Sequence, residues 1–222
     1  MAERIKLHPE TPHQKRIFEI ADMLKEDAVM LFPTDSQYAL GCDYQNKKGM
    51  DRIRKIRNMD HSDHLSVMCH SLENISTFAK LSDPNFKLVR RLIPGPYTFI
   101  LPATRKVPKL LVHPKKKTVG IRVPDYPICL NIIETLKRPL LSISARLEGV
   151  NYGDPSDSER EMFLSRFDKI VDVIIDNQQP LSDQESTIVD LTNEEPVLIR
   201  SGPGMERLNE AVSLEGQMVV SA

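Results

Sequence analysis

The chain has 222 residues, 40% hydrophobic and 27% charged, with a formal net charge of −1. This suits one large globular domain, or one with a short appendage, and excludes a disordered chain. It also excludes a molecule drawn as a whole to a polyanion, so any nucleic-acid site must be a local patch. No run approaches the roughly 18 apolar residues of a membrane helix, and no apolar stretch follows the charged start Met1-Ala2-Glu3-Arg4-Ile5-Lys6, which argues against a membrane or secretory role. Cys42, Cys69 and Cys129 form no CxxC pair, as expected of free thiols in a reducing cytoplasm.

In chain order the patterning predicts a helix over 13–25, a strand over 28–32, a helix over 47–57 and a strand over 65–69. Helices follow over 72–79 and 86–92, strands over 98–101 and 118–123, a helix over 128–137 and a strand over 140–144. A helix over 158–167 precedes strands over 171–175, 186–191 and 197–199. In the fifth helix Ile128, Ile132, Ile133 and Leu136 recur at helical spacing, and Pro127 stands where a first turn accepts it. Such alternation predicts an α/β domain built on one twisted sheet covered by helices. From about residue 202 the chain reads as a tail.

Several catalytic signatures are missing: no GxxxxGK[ST] phosphate loop, no GxGxxG turn, no HExxH helix and no GxSxG elbow. His61, His64, Cys69 and His70 match no zinc spacing and read as a polar loop leading into a strand. What stands out instead is a set of strands that end in hydroxyls and cations. The apolar run Ala28-Val29-Met30-Leu31-Phe32 meets Pro33-Thr34-Asp35-Ser36 before the chain turns apolar again at Ala39-Leu40. Gly95-Pro96-Tyr97-Thr98, Thr118 to Pro124, Ser142-Ile143-Ser144-Ala145-Arg146, Ser186-Thr187 and Ile199-Arg200-Ser201 behave alike. Strand ends are where open α/β sheets place their ligands.

The motifs PTDSQYALGCD, RIRKIRNMD, PGPYTFIL, VGIRVP, STIVDLT and LIRSGP occur in the order found in the YrdC-like family, which the chain resembles from about His13 to Gly204, in its YciO branch. The resemblance implies an α/β fold, a twisted mixed sheet with helices on both faces around a deep basic cavity, over residues 1–204, with 205–222 as the tail. It implies synthesis of L-threonylcarbamoyl-AMP and pyrophosphate from L-threonine, bicarbonate and ATP with Mg2+, the first step of threonylcarbamoyladenosine formation on tRNA. No metal-ligating residues are implied. An N-carboxylated threonine brings its own nucleophile, so such a protein needs no activated Ser or Cys; it must hold anions in line and offset charge on the phosphate.

Carried onto this chain, Thr34 and Arg122 contact the amino acid, Arg122 as a planar fork for its carboxylate. Ser186 or Thr187 supplies a hydroxyl nearby. Arg57, Thr118, Ser142, Ser144 and Arg200 contact the nucleotide, and Arg57, Ser144 and Arg146 stand at the reacting phosphate. As structure alone, Thr34 would close a turn after Pro33 and Arg57 would be a cation favourably placed at a helix end. Three positions depart from the synthase pattern KxR and SxN: Met59 replaces a cation, Arg146 replaces asparagine, and Glu148 stands where a serine is expected. A second reading is a tRNA- or double-stranded-RNA-binding protein of this fold, through Arg52-Arg54-Lys55-Arg57, Arg90-Arg91 and Lys115-Lys116-Lys117.

Overall fold

Strand β2 (Met30–Phe32) sends Met30 and Phe32 to one side, while Leu31, with Val29 just before it, packs on the other, as the two-residue repeat of a strand requires. The same alternation separates Val173 and Ile175 from Ile174 in β8 (Val173–Asp176), and Leu140 from Leu141 in β7 (Leu140–Ser144). These positions belong to one mixed sheet in a computed structural model that describes residues 1–59, 65–147, 149–151, 154, 156–213 and 219–220. The other strands are β1 (Glu3–Lys6), β3 (Ala39–Asp43), β4 (Ser66–Met68), β5 (Tyr97–Pro102), β6 (Thr118–Arg122), β9 (Thr187–Asp190), β10 (Val197–Arg200) and β11 (Val219–Val220). Their order is β1-β8-β2-β3-β7-β4-β6-β5-β9-β10-β11.

Helices cover both faces. α1 (Gln14–Lys25) and α5 (Pro127–Leu136) bury Ile17, Ile20, Ile128 and Ile132 against Met30, Phe32 and Val173. Opposite them, α2 (Lys47–Ile56), α3 (Leu72–Phe78), α4 (Asp83–Leu92), α6 (Asp157–Ser165) and α7 (Met205–Ser213) bury Ile53, Ile75, Leu88, Phe163 and Leu208 against Leu31, Val67 and Phe99. Full burial of one such side chain stabilises by about 1.5–3 kcal/mol, so this double layer is the main driving force for the fold.

Several elements differ from the sequence expectation, among them β11, which lies in the expected tail. β3 carries Gly41 and Asp43 inside an otherwise apolar run, yet every residue in it is buried because β2 and β7 pair with it on both sides. β1 is mostly charged and buries only Ile5; it forms by pairing in parallel with β8 at the sheet's edge. Residues 205–213, expected within the tail, form α7, which docks Leu208, Ala211 and Val212 on the core.

On the α1/α5 side the sheet changes character away from those helices. Gly41, Ser142, Ser66 and Gly120 stand level across β3, β7, β4 and β6. Two residues along the strands, Leu140, Met68 and Arg122 form the next level; in the opposite direction lies Ser144, level with Ala39. Small and polar residues thus leave a floor that no helix fills.

Helix α2 brings Arg57 to this floor, and Asn46 fixes its start. The Asn46 side chain accepts from the Gly49 N–H at 2.7 Å and donates to the Asp27 carbonyl at 2.8 Å. Asn46→Ala removes the cap and leaves a carbonyl unpaired. It should lower stability by about 2 kcal/mol, read as a lower urea midpoint with an unchanged slope.

Candidate functional site

Over the floor lies a cavity of about 410 Å3, lined by residues from β3, β4, β5, β6, β7, β9, β10, the 33–38 loop and the end of α2. Thr34, Arg57, Arg122, Ser142, Ser144, Ser186 and Arg200, all expected in the site, line it. So does Met59.

One end is built around Arg122. As the last residue of β6 it is buried with its side chain in the cavity wall, and a lone charge there would be costly. Its Nη2 donates to Asp35 Oδ1 and, at 2.9 Å, to Ser36 Oγ. The other Asp35 oxygen accepts from the Asp125 N–H at 2.9 Å, so the carboxylate ties the 33–38 loop to both ends of the β6–α5 connection. Arg122 Nε is buried and has no partner among the described residues. Beside it the Thr98 and Ser186 hydroxyls meet at 3.0 Å. Arg200 donates from Nη2 to Ser186 Oγ at 3.1 Å and from Nη1 to Glu185 Oε2 at 2.8 Å. Thr34 donates to the Gln37 carbonyl at 2.7 Å and accepts from the Ser36 N–H at 3.1 Å, so it closes the turn and lines the cavity together.

The other end is built around Arg57 and Ser144. Arg57 caps the C-terminus of α2, where a cation is favoured. It donates through Nη1 to the Arg146 carbonyl, while its Nε is buried without a partner among the described residues. Ser144 Oγ donates to Gln37 Oε1 at 2.8 Å, and Gln37 Nε2 donates to the Asp183 carbonyl at 2.9 Å. Gln37 therefore joins the two ends, bridging β7 to the segment that carries Glu185 and Ser186.

Three expected residues stand apart from the lining, and one stands at the other end. Thr187 alternates with Ser186, is fully buried, and donates to the Pro203 carbonyl at 2.8 Å, so of the pair the strand repeat turns Ser186 to the cavity. Thr118 shares the face of Gly120 but is buried at the far end of β6, beside Pro102. Arg146 contributes its carbonyl to the Arg57 end and not its side chain to the lining. Arg200, expected on the nucleotide, lies at the Arg122 end. His61, His64 and Glu148 lie outside the described residues.

Sequence reasoning gave no role to Gln37, Ser66, Thr98 and Glu185 in the lining, nor to Asp35 beside it. Thr98 belongs to a polar strand end visible in the sequence, which gave it no role of its own; the partners of Gln37 and Asp35 depend on long-range pairing. No cysteine lines the cavity: burial pushes the Cys42 and Cys69 thiols up to about 12, and burial with nearby Asp35 raises Cys129 further. Among the described residues no cluster of His, Cys, Asp and Glu could hold a metal ion, and no helix is long and apolar enough to cross a membrane.

Asp35→Ala leaves the buried Arg122 charge without its counterion. We expect a loss of about 3 kcal/mol, measured by urea unfolding, with Asp35→Glu retaining part of it.

Similarity to known proteins agrees with this geometry. The Sua5/YciO/YrdC family model, described as "Telomere recombination", matches residues 22–202. YciO of Escherichia coli K12, an uncharacterized protein, is 37% identical over 204 residues, 92% of this chain and 97% of its own; the crystal structure of E. coli YciO matches with a TM-score of 0.83 at 36% identity, over 92% and 97% of the two chains. A threonylcarbamoyl-AMP synthase of Pyrococcus abyssi is 30% identical over 183 residues, 82% of this chain and 52% of its own length. The crystal structure of P. abyssi Sua5 complexed with L-threonine matches with a TM-score of 0.82 at 26% identity, over 100% of this chain and 62% of that one. The chain belongs to the Sua5/YciO/YrdC family.

Proposed function

We propose that the chain condenses L-threonine, bicarbonate and ATP into L-threonylcarbamoyl-AMP and pyrophosphate, with tRNA as the downstream acceptor of the carbamoyl group. The observation that carries this reading is one cavity with two differently built ends. Arg122, Thr34 and Ser186 gather at one end, and Arg57 and Ser144 at the other. An amino-acid carboxylate suits the first, where Arg122 is already aligned by Asp35; a phosphate suits the second. The relatives include a threonylcarbamoyl-AMP synthase and a Sua5 that holds L-threonine, which supports the same assignment.

The residues act by position and charge. Arg122 orients the threonine so that its amine points along the floor. The amine and bicarbonate give a carbamate and water. A carbamate oxygen then attacks the α-phosphorus while the bond to pyrophosphate breaks, and pyrophosphate leaves with the electron pair. Arg57 offsets charge on the transferring phosphate. Mg2+ enters with ATP as part of the substrate. The carboxylate in the lining, Glu185, is paired with Arg200, so the described residues make no magnesium cage and no step is assigned to them through the ion.

A second reading, RNA binding, is favoured by one specific feature. Residues 84–117 contain nine lysines and arginines and no acidic residue. Arg54 Nη2 donates to the Leu110 carbonyl at 3.1 Å, which sets the basic helix α2 against this segment.

Incubation with ATP, threonine and bicarbonate should release pyrophosphate together with the carbamoyl adenylate; absence of both, with and without tRNA, overturns the synthase reading. Arg122→Ala should lower kcat/KM for threonine at least 100-fold, and Arg122→Lys, which keeps the charge but loses the fork, should fall between. For the second reading, affinity for double-stranded RNA should drop steeply between 50 and 200 mM salt, and salt-insensitive or absent binding counts against it.

A further inference from the structure

Asn177 stands just past the end of β8. β8 runs parallel to β2, so Asn177 and the 33–38 loop leave the sheet at the same end. The residue is buried and rests on a firm base. Just before it, the Asp176 carboxylate accepts from the Gln178 N–H at 2.8 Å and pairs with Arg160 Nε at 3.3 Å, while the Asp176 carbonyl accepts from the Leu7 N–H at 3.0 Å. Two tyrosines converge on the Asn177 amide. Tyr38 Oη donates to its Oδ1 at 2.9 Å, and its Nδ2 donates to Tyr126 Oη at 2.8 Å. Burial pushes the Tyr126 phenol up to about 12 and Tyr38 further, so both hydroxyls keep their protons.

These tyrosines come from the two segments that meet at Asp35. Tyr38 ends the loop that carries Asp35, and Tyr126 follows Asp125, whose N–H donates to Asp35 Oδ2 at 2.9 Å. Tyr126 also begins α5, yet its hydroxyl goes to Asn177 instead of that helix. One amide therefore fixes both the segment that bears the carboxylate and the segment that bears the N–H. Neither Asn177 nor Tyr126 belongs to the cavity lining.

The consequence falls on Arg122. A carboxylate that is free to turn takes a guanidinium with two oxygens on two nitrogens. Asp35 does not: Oδ2 is engaged by Asp125, and Oδ1 alone reaches Arg122 Nη2. Arg122 Nε stays without a partner among the described residues.

We propose that Asn177 is a positioning residue for amino-acid recognition: by clasping Tyr38 and Tyr126 it keeps Asp35 on one nitrogen of Arg122 and reserves the rest of the fork for the carboxylate of the substrate. This rests on the synthase reading and deepens it. When the clasp opens, Asp125 N–H and Asp35 Oδ2 separate, Asp35 turns onto two nitrogens of Arg122, and it competes with the incoming carboxylate. Arg122 keeps its counterion throughout, so the fold survives while recognition weakens.

Two measurements test the proposal. Hydrogen exchange in the ligand-free protein reads the clasp itself. In Tyr126→Phe, which keeps the ring, the Asp125 amide should exchange about tenfold faster than in wild type, with the amides of β7 unchanged. Equal exchange at Asp125, or faster exchange throughout the sheet, overturns the clasp whether or not the protein makes an adenylate. Calorimetric affinities read its effect. Threonine binding should weaken about fivefold in Tyr126→Phe and about tenfold in Asn177→Ala, with ATP affinity within about twofold of wild type. The double variant Asn177→Ala/Tyr126→Phe should bind threonine no more weakly than Asn177→Ala alone, because one clasp cannot be opened twice. Additive losses, or equal losses for ATP, mean a merely structural role and overturn the proposal. A wild-type protein that binds no threonine sinks the synthase reading, and the exchange measurement still decides the clasp by itself.

Discussion

A guanidinium built into the wall of a sheet needs a carboxylate, and where that carboxylate comes from organises the rest of this site. Arg122 is placed by β6, but its partner Asp35 belongs to the connection between β2 and β3, which stand four and three places away in sheet order. For the pair to form, the 33–38 loop must reach across the sheet. Once it does, Thr34 closes its turn, Ser36 shares Arg122, and Gln37 reaches Ser144 on one side and the 183–186 segment on the other. A hydrogen bond to a charged group contributes about 1.5–3 kcal/mol, so a few such contacts suffice to hold a loop that an apolar core could not cover.

The same logic repeats at Arg200, paired with Glu185 beside Ser186. Both arginines at this end are held by acids and line the cavity. Held in this way, they form a rigid recognition surface and add little net charge. On the proposed reading, this suits a small zwitterion, in which a carboxylate must be gripped without repelling the ammonium group near it. The far end is different in kind. Arg57 is anchored by a neutral carbonyl, so among the described residues no acidic side chain neutralises it.

Much of the architecture was legible in the sequence because it rests on local repeats. Ile128, Ile132, Ile133 and Leu136 announce α5, and the apolar runs at 28–32 and 140–144 announce central strands. β3 was hidden because Gly41 and Asp43 look like breakers; they are tolerated only because neighbours pair on both sides and Phe32 takes the space beside Gly41. α7 was hidden because polar residues fill its exposed face and few of its residues, Leu208, Ala211 and Val212 chief among them, reach the core. Within the site, the two-residue repeat separates Ser186 from Thr187 once β9 is placed. No local rule reveals Gln37, whose partners lie 107 and 146 residues away, or the level on which Ser66, Ser142 and Gly120 meet. Those depend on strand order and register, which sequence spacing does not carry.

Register also locates the difference between this chain and the synthase pattern. Met59 lines the cavity on the side of Arg57, where that pattern has a cation, and the Arg146 side chain does not join the lining in compensation. What Arg146 supplies is a carbonyl that orients Arg57. Among the described residues the departure therefore lies at the Arg57 end; at the other end Thr34, Arg122 and Ser186 line the cavity, with Asp35 paired to Arg122. A triphosphate carries several charges, and one oriented guanidinium in the lining offsets only part of them, leaving the remainder to ions that travel with the nucleotide. Weaker transition-state stabilisation at the α-phosphate lowers the chemical rate without loosening the grip on the amino acid. On the proposed reading, Met59 changes how charge is supplied at the Arg57 end and leaves Arg122, at the other end, to recognise the acid.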